Sequence, residues 1–231
     1  GGLVNTAGIR HNDLEDDDEE CVTVTSITVE KTISEGPTPN GDGTYTIVYD
    51  LLARNSGEAA GDYDLSDRLR YGAGIEIVAS EIATAPDGVS TSESWTGLGE
   101  DGADENVIAT GVSLAAGKSH TYRVSATVEL DEATIDPATL TCPEPGSGEA
   151  GGLANSTELV HNGIVSDDDV CASLPLIDVA KSIADGPVGG GDGTWTIAYE
   201  LVVTNGGYAA GDHDLDDRPR YGDGTVVEFA P

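Results

Sequence analysis

Residues 1–81 of this chain align without a gap on residues 151–231, at a constant offset of 150, with 37 of 81 positions identical. Gly1-Gly2-Leu3 recurs as Gly151-Gly152-Leu153, His11-Asn12 as His161-Asn162, Cys21 as Cys171, Lys31 as Lys181, and Gly41-Asp42-Gly43-Thr44 as Gly191-Asp192-Gly193-Thr194. A period this long exceeds any solenoid unit and matches one whole domain. The expected organisation is an array of similar domains joined end to end. In each copy a strand-like segment opens just after an acidic run, Asp16 to Glu20 in one and Asp167 to Asp169 in the other. This predicts one complete domain at residues 22–172. Residues 1–21 would be the C-terminal hairpin of a preceding repeat, and residues 173–231 the N-terminal part of a following one. The two partial pieces, pooled between chains, would lack anything equivalent to residues 82–150, so simple swapping leaves a gap.

Strict alternation of apolar and polar residues runs through the complete domain and signals strands with one buried face. Ile27, Val29 and Ile33 share one face; Tyr45, Ile47, Tyr49 and Leu51 share another; Tyr122, Val124, Ala126, Val128 and Leu130 line one side of a later strand. Turn clusters separate these runs, among them Pro39 to Gly43, Gly72 to Gly74 and Pro145 to Gly148. The Gly-Asp-Gly tripeptides read as hairpin turns that need positive φ, because strands and not helices follow them. No amphipathic helix stands out. The predicted fold class is all-β, with β-sandwich domains of about seven to nine strands on the 150-residue repeat.

Charge limits the partners. With 43 acidic residues against 10 Lys and Arg, the formal net charge is -33. Such a surface repels phosphate backbones and anionic lipid, so neither a nucleic-acid binder nor a polybasic membrane module is expected. No apolar stretch approaches the roughly 20 residues that span a bilayer, and no basic-then-apolar leader opens the sequence.

The run Val29-Glu30-Lys31-Thr32, then Thr44 to Tyr49 with Asn55-Ser56-Gly57, then Leu65-Ser66-Asp67-Arg68-Leu69 and finally Gly152-Leu153-Ala154-Asn155-Ser156-Thr157 resembles a conserved-repeat family of Ig-like domains of unknown function. These occur in tandem in large surface proteins of bacteria and archaea. The resemblance implies tandem Ig-like sandwiches and a cell-surface stalk or fibre, and implies nothing about a ligand. The connection between Ile77 and Cys142 is longer than that family's.

Three cysteines leave one unpaired, and the repeat suggests which. Cys142 and Cys171 flank the last hairpin of the complete domain and are expected to bond. The natural partner of Cys21 would precede Gly1; a covalent link from Cys21 to a neighbouring chain is the alternative. A Cys142–Cys171 bridge would contribute about 3 kcal/mol by chain entropy and implies an oxidising compartment.

Two of the three lysines occupy one repeat position. Lys31 has the parity of Ile27, Val29 and Ile33, and therefore points inward, where an ammonium is costly unless paired. Asn155 shares parity with Leu153, Thr157 and Leu159, and Asp67 is in phase with Leu65. Inward Lys on the first strand, inward Asn on the last and an acid between them resembles the autocatalytic isopeptide arrangement of Gram-positive pilins and adhesins. That chemistry needs a lysine deprotonated by burial and an amide polarised by a protonated carboxyl. The plainer alternative is a Lys31–Asp67 salt bridge, or a Lys31 stem that snorkels to the sheet edge. An inward Asn155 could not carry a glycan, despite its Asn-Ser-Thr context.

Asp62, Asp64 and Asp67, and Asp167, Asp168 and Asp169 near the inferred junction, form acidic clusters for which calcium is the fitting cation. A solvated acidic face is the plainer reading of them, and no EF-hand loop is present. His11, His120, His161 and His213 show no zinc spacing. No nucleophile elbow, glycosidase carboxylate pair or phosphate loop appears, and the chain is not expected to be an enzyme. Ser90 to Thr96 is a polar loop with one aromatic, Trp95, of the kind that covers the end of a core.

The function these features predict is structural: an extracellular, disulfide-locked repeat protein forming a stalk or filament at a microbial surface. Its partners would be further copies of the repeat, with neighbouring chains a second possibility. An adhesin module binding carbohydrate or protein through loops between Ile82 and Asp104 is the alternative.

Overall fold

The computed structural model describes residues 2–131 and 135–228. Among them are twelve strands and two single-turn 3-10 segments, Asp104–Asn106 and Pro137–Leu140. The strands are β1 (Leu3–His11), β2 (Leu14–Val22), β3 (Ile27–Pro39), β4 (Thr44–Asn55), β5 (Gly61–Tyr71), β6 (Ile75–Thr84), β7 (Val107–Leu114), β8 (Ser119–Leu130), β9 (Leu153–His161), β10 (Ile164–Val170), β11 (Ile177–Gly189) and β12 (Trp195–Asn205).

Strands β3 to β10 form two four-stranded antiparallel sheets, ordered β3-β4-β8-β6 and β10-β9-β5-β7. Eight strands fall within the range that the alternation predicts. The buried faces are the predicted ones: Ile47, Tyr49, Leu51, Tyr122, Val124, Ala126 and Val128 are buried on one sheet, Tyr63, Leu65, Leu153 and Leu159 on the other. Ile33, at the point where the β3 register shifts before Glu35, is half-buried and packs against the margin of the core. The β3–β4 hairpin closes on Gly41 and Gly43, with φ of 83° and 94°. Between them Asp42 Oδ1 accepts from Thr44 N and Oγ1 at 3.1 and 2.7 Å, a local bond that fixes the turn. Asn55, buried at the end of β4, accepts from Ser26 N and Gly57 N and donates to Ala59 O and Leu114 O, so the polar group at this corner is fully used.

The sandwich is joined along one side without a shared ladder. Ser166 Oγ and Asp168 Oδ2, both on β10, accept the main-chain N–H groups of Val29 and Lys31 on β3, at 3.1 and 2.7 Å. Cys142 and Cys171 are disulfide-bonded and Cys21 is free and exposed. Leu174, just past the bridge, is fully buried in the same core.

The end segments have the same local form but not the same burial. β1 and β2 pair Leu3↔Val22 through His11↔Leu14, and Asn5↔Glu20 matches Asn155↔Val170. Leu3 and Ile9 are each 68% exposed, whereas Leu153 and Leu159 are 0% exposed. β11 and β12 repeat the β3–β4 pairing, bulges included. Residues 211–221, the sequence counterpart of β5, form no strand. In β5 each ladder is supplied by β7 and β9, and among the described residues 211–221 has no such neighbours.

Candidate self-cross-linking site

Three strands bring Lys31, Asp67 and Asn155 together in the core. The alternation of each strand aims these polar side chains inward, as the sequence parity predicts. Lys31 is 2% exposed, Asp67 1% and Asn155 0%. β5 and β9 are ladder neighbours, with Asp67↔Thr157 and Leu69↔Asn155 in register, so Asp67 and Asn155 sit two residues apart on one inner face. Lys31 reaches them from the facing sheet, and its ammonium nitrogen Nζ makes a short, fully buried contact with Asp67 Oδ2. Nζ also lies 5.1 Å from the centre of the Tyr49 ring. The Tyr49 hydroxyl is used elsewhere, donating to Leu153 O at 2.8 Å beside the Tyr71 hydroxyl at 3.1 Å.

The remaining polar atoms of the cluster are unsatisfied. Asp67 Oδ1, Asn155 Oδ1 and Asn155 Nδ2 are buried and make no hydrogen bond of good geometry among the described residues, although the Asn155 amide lies near enough to Asp67 to favour its ionised form. Each orphaned buried group costs about 1–3 kcal/mol. Native cores leave few such groups, and each calls for an explanation, a catalytic role among them.

Burial acts on both charged groups in the direction of neutrality. It lowers the Lys31 ammonium below its usual range despite the opposing pull of Asp67, and it raises the Asp67 carboxyl despite the opposing pull of Lys31 and, more weakly, of the Asn155 amide. The pair is thus driven towards a free amine and a protonated acid.

The second copy carries the same pair in open form. Lys181 Nζ lies 2.5 Å from Asp217 Oδ1 and 4.5 Å from the centre of the Tyr199 ring, with both charged side chains more than a third exposed. Asn5, the counterpart of Asn155, is exposed on β1.

Of the acidic residues that the sequence suggested for calcium, Asp64, Asp167, Asp168 and Asp169 line one groove on the outer face of β5 and β9, and Asp62 is not among its lining residues. Among the described residues no group of three or more His, Cys, Asp or Glu side chains is placed to hold a metal ion. Asp67 points into the core while Asp62 and Asp64 point out, because 62 and 64 have one parity and 67 the other. Asp64 accepts from Gly111 N at 2.7 Å, Asp168 from the Lys31 and Asp169 amides, and Asp169 from Gly146 N at 2.8 Å. Asp62 and Asp167 lie outside these bonds. Carboxylates committed to main-chain amides leave few oxygens for a cation. A chelator should accordingly leave the melting midpoint of the full chain unchanged, and a downward shift on chelation would restore the calcium proposal.

Of the histidines, His161 bonds Thr25 and Asp62 O, and His120 contacts the Tyr63 hydroxyl at 3.0 Å, both structural uses. Sequence reasoning places the three site residues but misses what surrounds them. Trp95 is buried with its indole N–H on Asp67 O at 3.1 Å, a contact that no local pattern announces.

No family model and no curated protein matches the chain. Among solved structures it is similar to the full-length RrgB pilus protein of Streptococcus pneumoniae, at 12% identity and a TM-score of 0.24. That match covers 84% of this chain and 35% of that one. The chain therefore spans about a third of the length of the structure it matches. A likeness of this size carries no argument about function.

Proposed function

We propose that this chain is a structural repeat protein of a microbial cell surface, an end-to-end array of Ig-like sandwiches in a stalk or filament. In this reading the complete domain locks itself with an isopeptide bond between Lys31 and Asn155. One observation carries the covalent part: a buried lysine against a buried acid, beside a buried amide whose oxygen and nitrogen are both unpaired. The acidic surface and the disulfide support the extracellular setting. Among the described residues no helix is long and apolar enough to cross a membrane.

The reaction balances with these residues alone. Neutral Lys31 Nζ attacks Asn155 Cγ while protonated Asp67 donates to Asn155 Oδ1. Asp67 then takes the surplus proton from Nζ and passes it to Asn155 Nδ2. The Cγ–Nδ2 bond breaks, ammonia leaves, the Oδ1 proton returns to Asp67, and a secondary amide remains. Asp67 ends as it began and serves as proton carrier.

Intact mass of the full chain tests this. The expected value is one ammonia below the mass of the disulfide-bonded sequence, with a Lys31–Asn155 branched peptide in the digest. A chain at the full mass of the disulfide-bonded sequence overturns the covalent reading and leaves a buried salt bridge in its place.

The adhesin reading also has an observation in its favour. A groove of about 540 Å³ lies on the outer face of β5 and β9, lined by Arg68, Arg70, Asp101, Asn106, Glu149 and Ser156. Both arginines bond Asp101, on the loop between β6 and β7, at 2.5 and 2.6 Å. Binding of a glycan or peptide that is lost on Asp101→Ala would support that use.

A further inference from the structure

The connection between β6 and β7, residues 85–106, is as long as the β8–β9 connection that carries Cys142, 22 residues each. It does not hang free. It runs from the edge strand of one sheet to the edge strand of the other, on the side of the sandwich away from β3 and β10. The β5–β7 ladder stops at Ser66↔Val107, one residue before Asp67. From there the connection stands in for the missing strand. Leu69 N donates to Gly97 O at 2.8 Å, and Asp67 O receives the Trp95 indole N–H in place of a strand amide.

Anchors hold this segment from every side. Ser80 Oγ on β6 donates to Thr96 O at 2.8 Å; Thr96 N and Gly97 N donate to Glu105 O; Ser92 N donates to Ile108 O on β7. Asn106 closes the tip by bonding the main chain of Gly99 and Glu100. Gly97 sits at φ 72°, and a Cβ there would meet Leu69 Cγ at 2.9 Å, so the close approach depends on glycine. The ring so positioned is 6% exposed, in the same core as the cluster, and meets it at the Asp67 carbonyl.

We infer that the β6–β7 connection is a strap whose Trp95 fixes Asp67 and keeps water from the Lys31–Asp67–Asn155 cluster, so that the Asn155 amide is broken by the lysine and not by water. The inference rests on the isopeptide reading and adds a positioning residue to it. The two outcomes differ chemically. Attack by Lys31 Nζ releases ammonia and forms the cross-link. Attack by water on Asn155 Cγ also releases ammonia, but leaves an aspartate at position 155 and a free Lys31. A carboxyl that polarises an amide serves either nucleophile, and the difference lies in which one is present at the carbon.

Cross-linking and hydrolysis at position 155 are to be followed by intact mass and peptide mapping in the full chain, for the parent, Trp95→Phe, Trp95→Ala and Leu114→Ala. The last truncates an equally buried side chain at the Gly61 end of β5. The parent should give the cross-link alone. Trp95→Ala should cross-link slower by about a hundredfold and accumulate aspartate at position 155, as expected for a misplaced and wetted site. Trp95→Phe, which keeps the ring but loses the N–H, should be slower without hydrolysis. Leu114→Ala should lower the melting midpoint and leave the product ratio as in the parent.

A parent rate and product ratio in both Trp95 variants overturns the strap, as does an equal hydrolysed fraction in Leu114→Ala. If Trp95→Ala does not fold, Trp95→Phe decides, and a parent rate there overturns the strap. A parent chain with no ammonia loss removes the isopeptide reading, and the strap with it. That result is seen before any substitution, and so is distinct from failure of the strap alone.

Discussion

Asn155→Leu should lower the stability of the β3–β10 sandwich by about 5 kcal/mol, the chain-entropy value for a cross-link closing a loop on the order of a hundred residues. For a chain of this size that corresponds to a fall of roughly 10–20 °C in melting midpoint. The sign is what makes the measurement decisive. Without a covalent bond, the same substitution replaces an amide with two buried unpaired atoms by an apolar side chain of similar volume, and the domain should become more stable. Calorimetry of the parent and Asn155→Leu chains therefore separates the two readings by direction. A rise in midpoint would sink the cross-link independently of any mass measurement.

The second large effect concerns the Lys31–Asp67 pair itself, and it is best read in the Asn155→Leu background, where no bond can form. There Lys31→Met should cost about 3–5 kcal/mol, because it leaves the Asp67 carboxyl buried with no cation. Adding Asp67→Leu should recover most of that loss, since two apolar residues need no compensation. Denaturant titrations of the single and double replacements give the comparison. If the double replacement is as unstable as the single one, the loss comes from packing and not from a stranded charge. The exposed pair Lys181–Asp217 should show a much smaller response, within the usual range of surface pairs, about 0–1 kcal/mol.

The site was legible in the sequence because parity in a strand is a geometric fact. Lys31 falls in phase with Ile27 and Val29, Asn155 with Leu153 and Leu159, and Asp67 with Leu65, and each is buried as its neighbours are. The same rule separates Asp67 from Asp62 and Asp64, so the apparent carboxylate row divides between two faces. A sandwich of about seven to nine strands and the Cys142–Cys171 bridge were readable for similar reasons, one from alternation and the other from where the repeat places each cysteine.

What parity could not reach depends on partners far along the chain. Trp95 bonds a carbonyl 28 residues away. Ser166 and Asp168 serve amides 137 residues away. Residues 211–221 have almost the sequence of β5 yet form no strand, because a ladder belongs to two strands and sequence similarity supplies only one.

The bonding of Val29 and Lys31 by side-chain oxygens of β10 bears on crowding. A strand at the border of a sheet offers its amides to any other extended chain, which is how native sheets seed aggregates. In β3 two of those donors are already taken by a serine and an aspartate, and the aspartate adds like-charge repulsion against an approaching copy of so acidic a protein. A second copy of the chain approaching this border would then meet occupied donors and a like charge where a bare edge would offer a template.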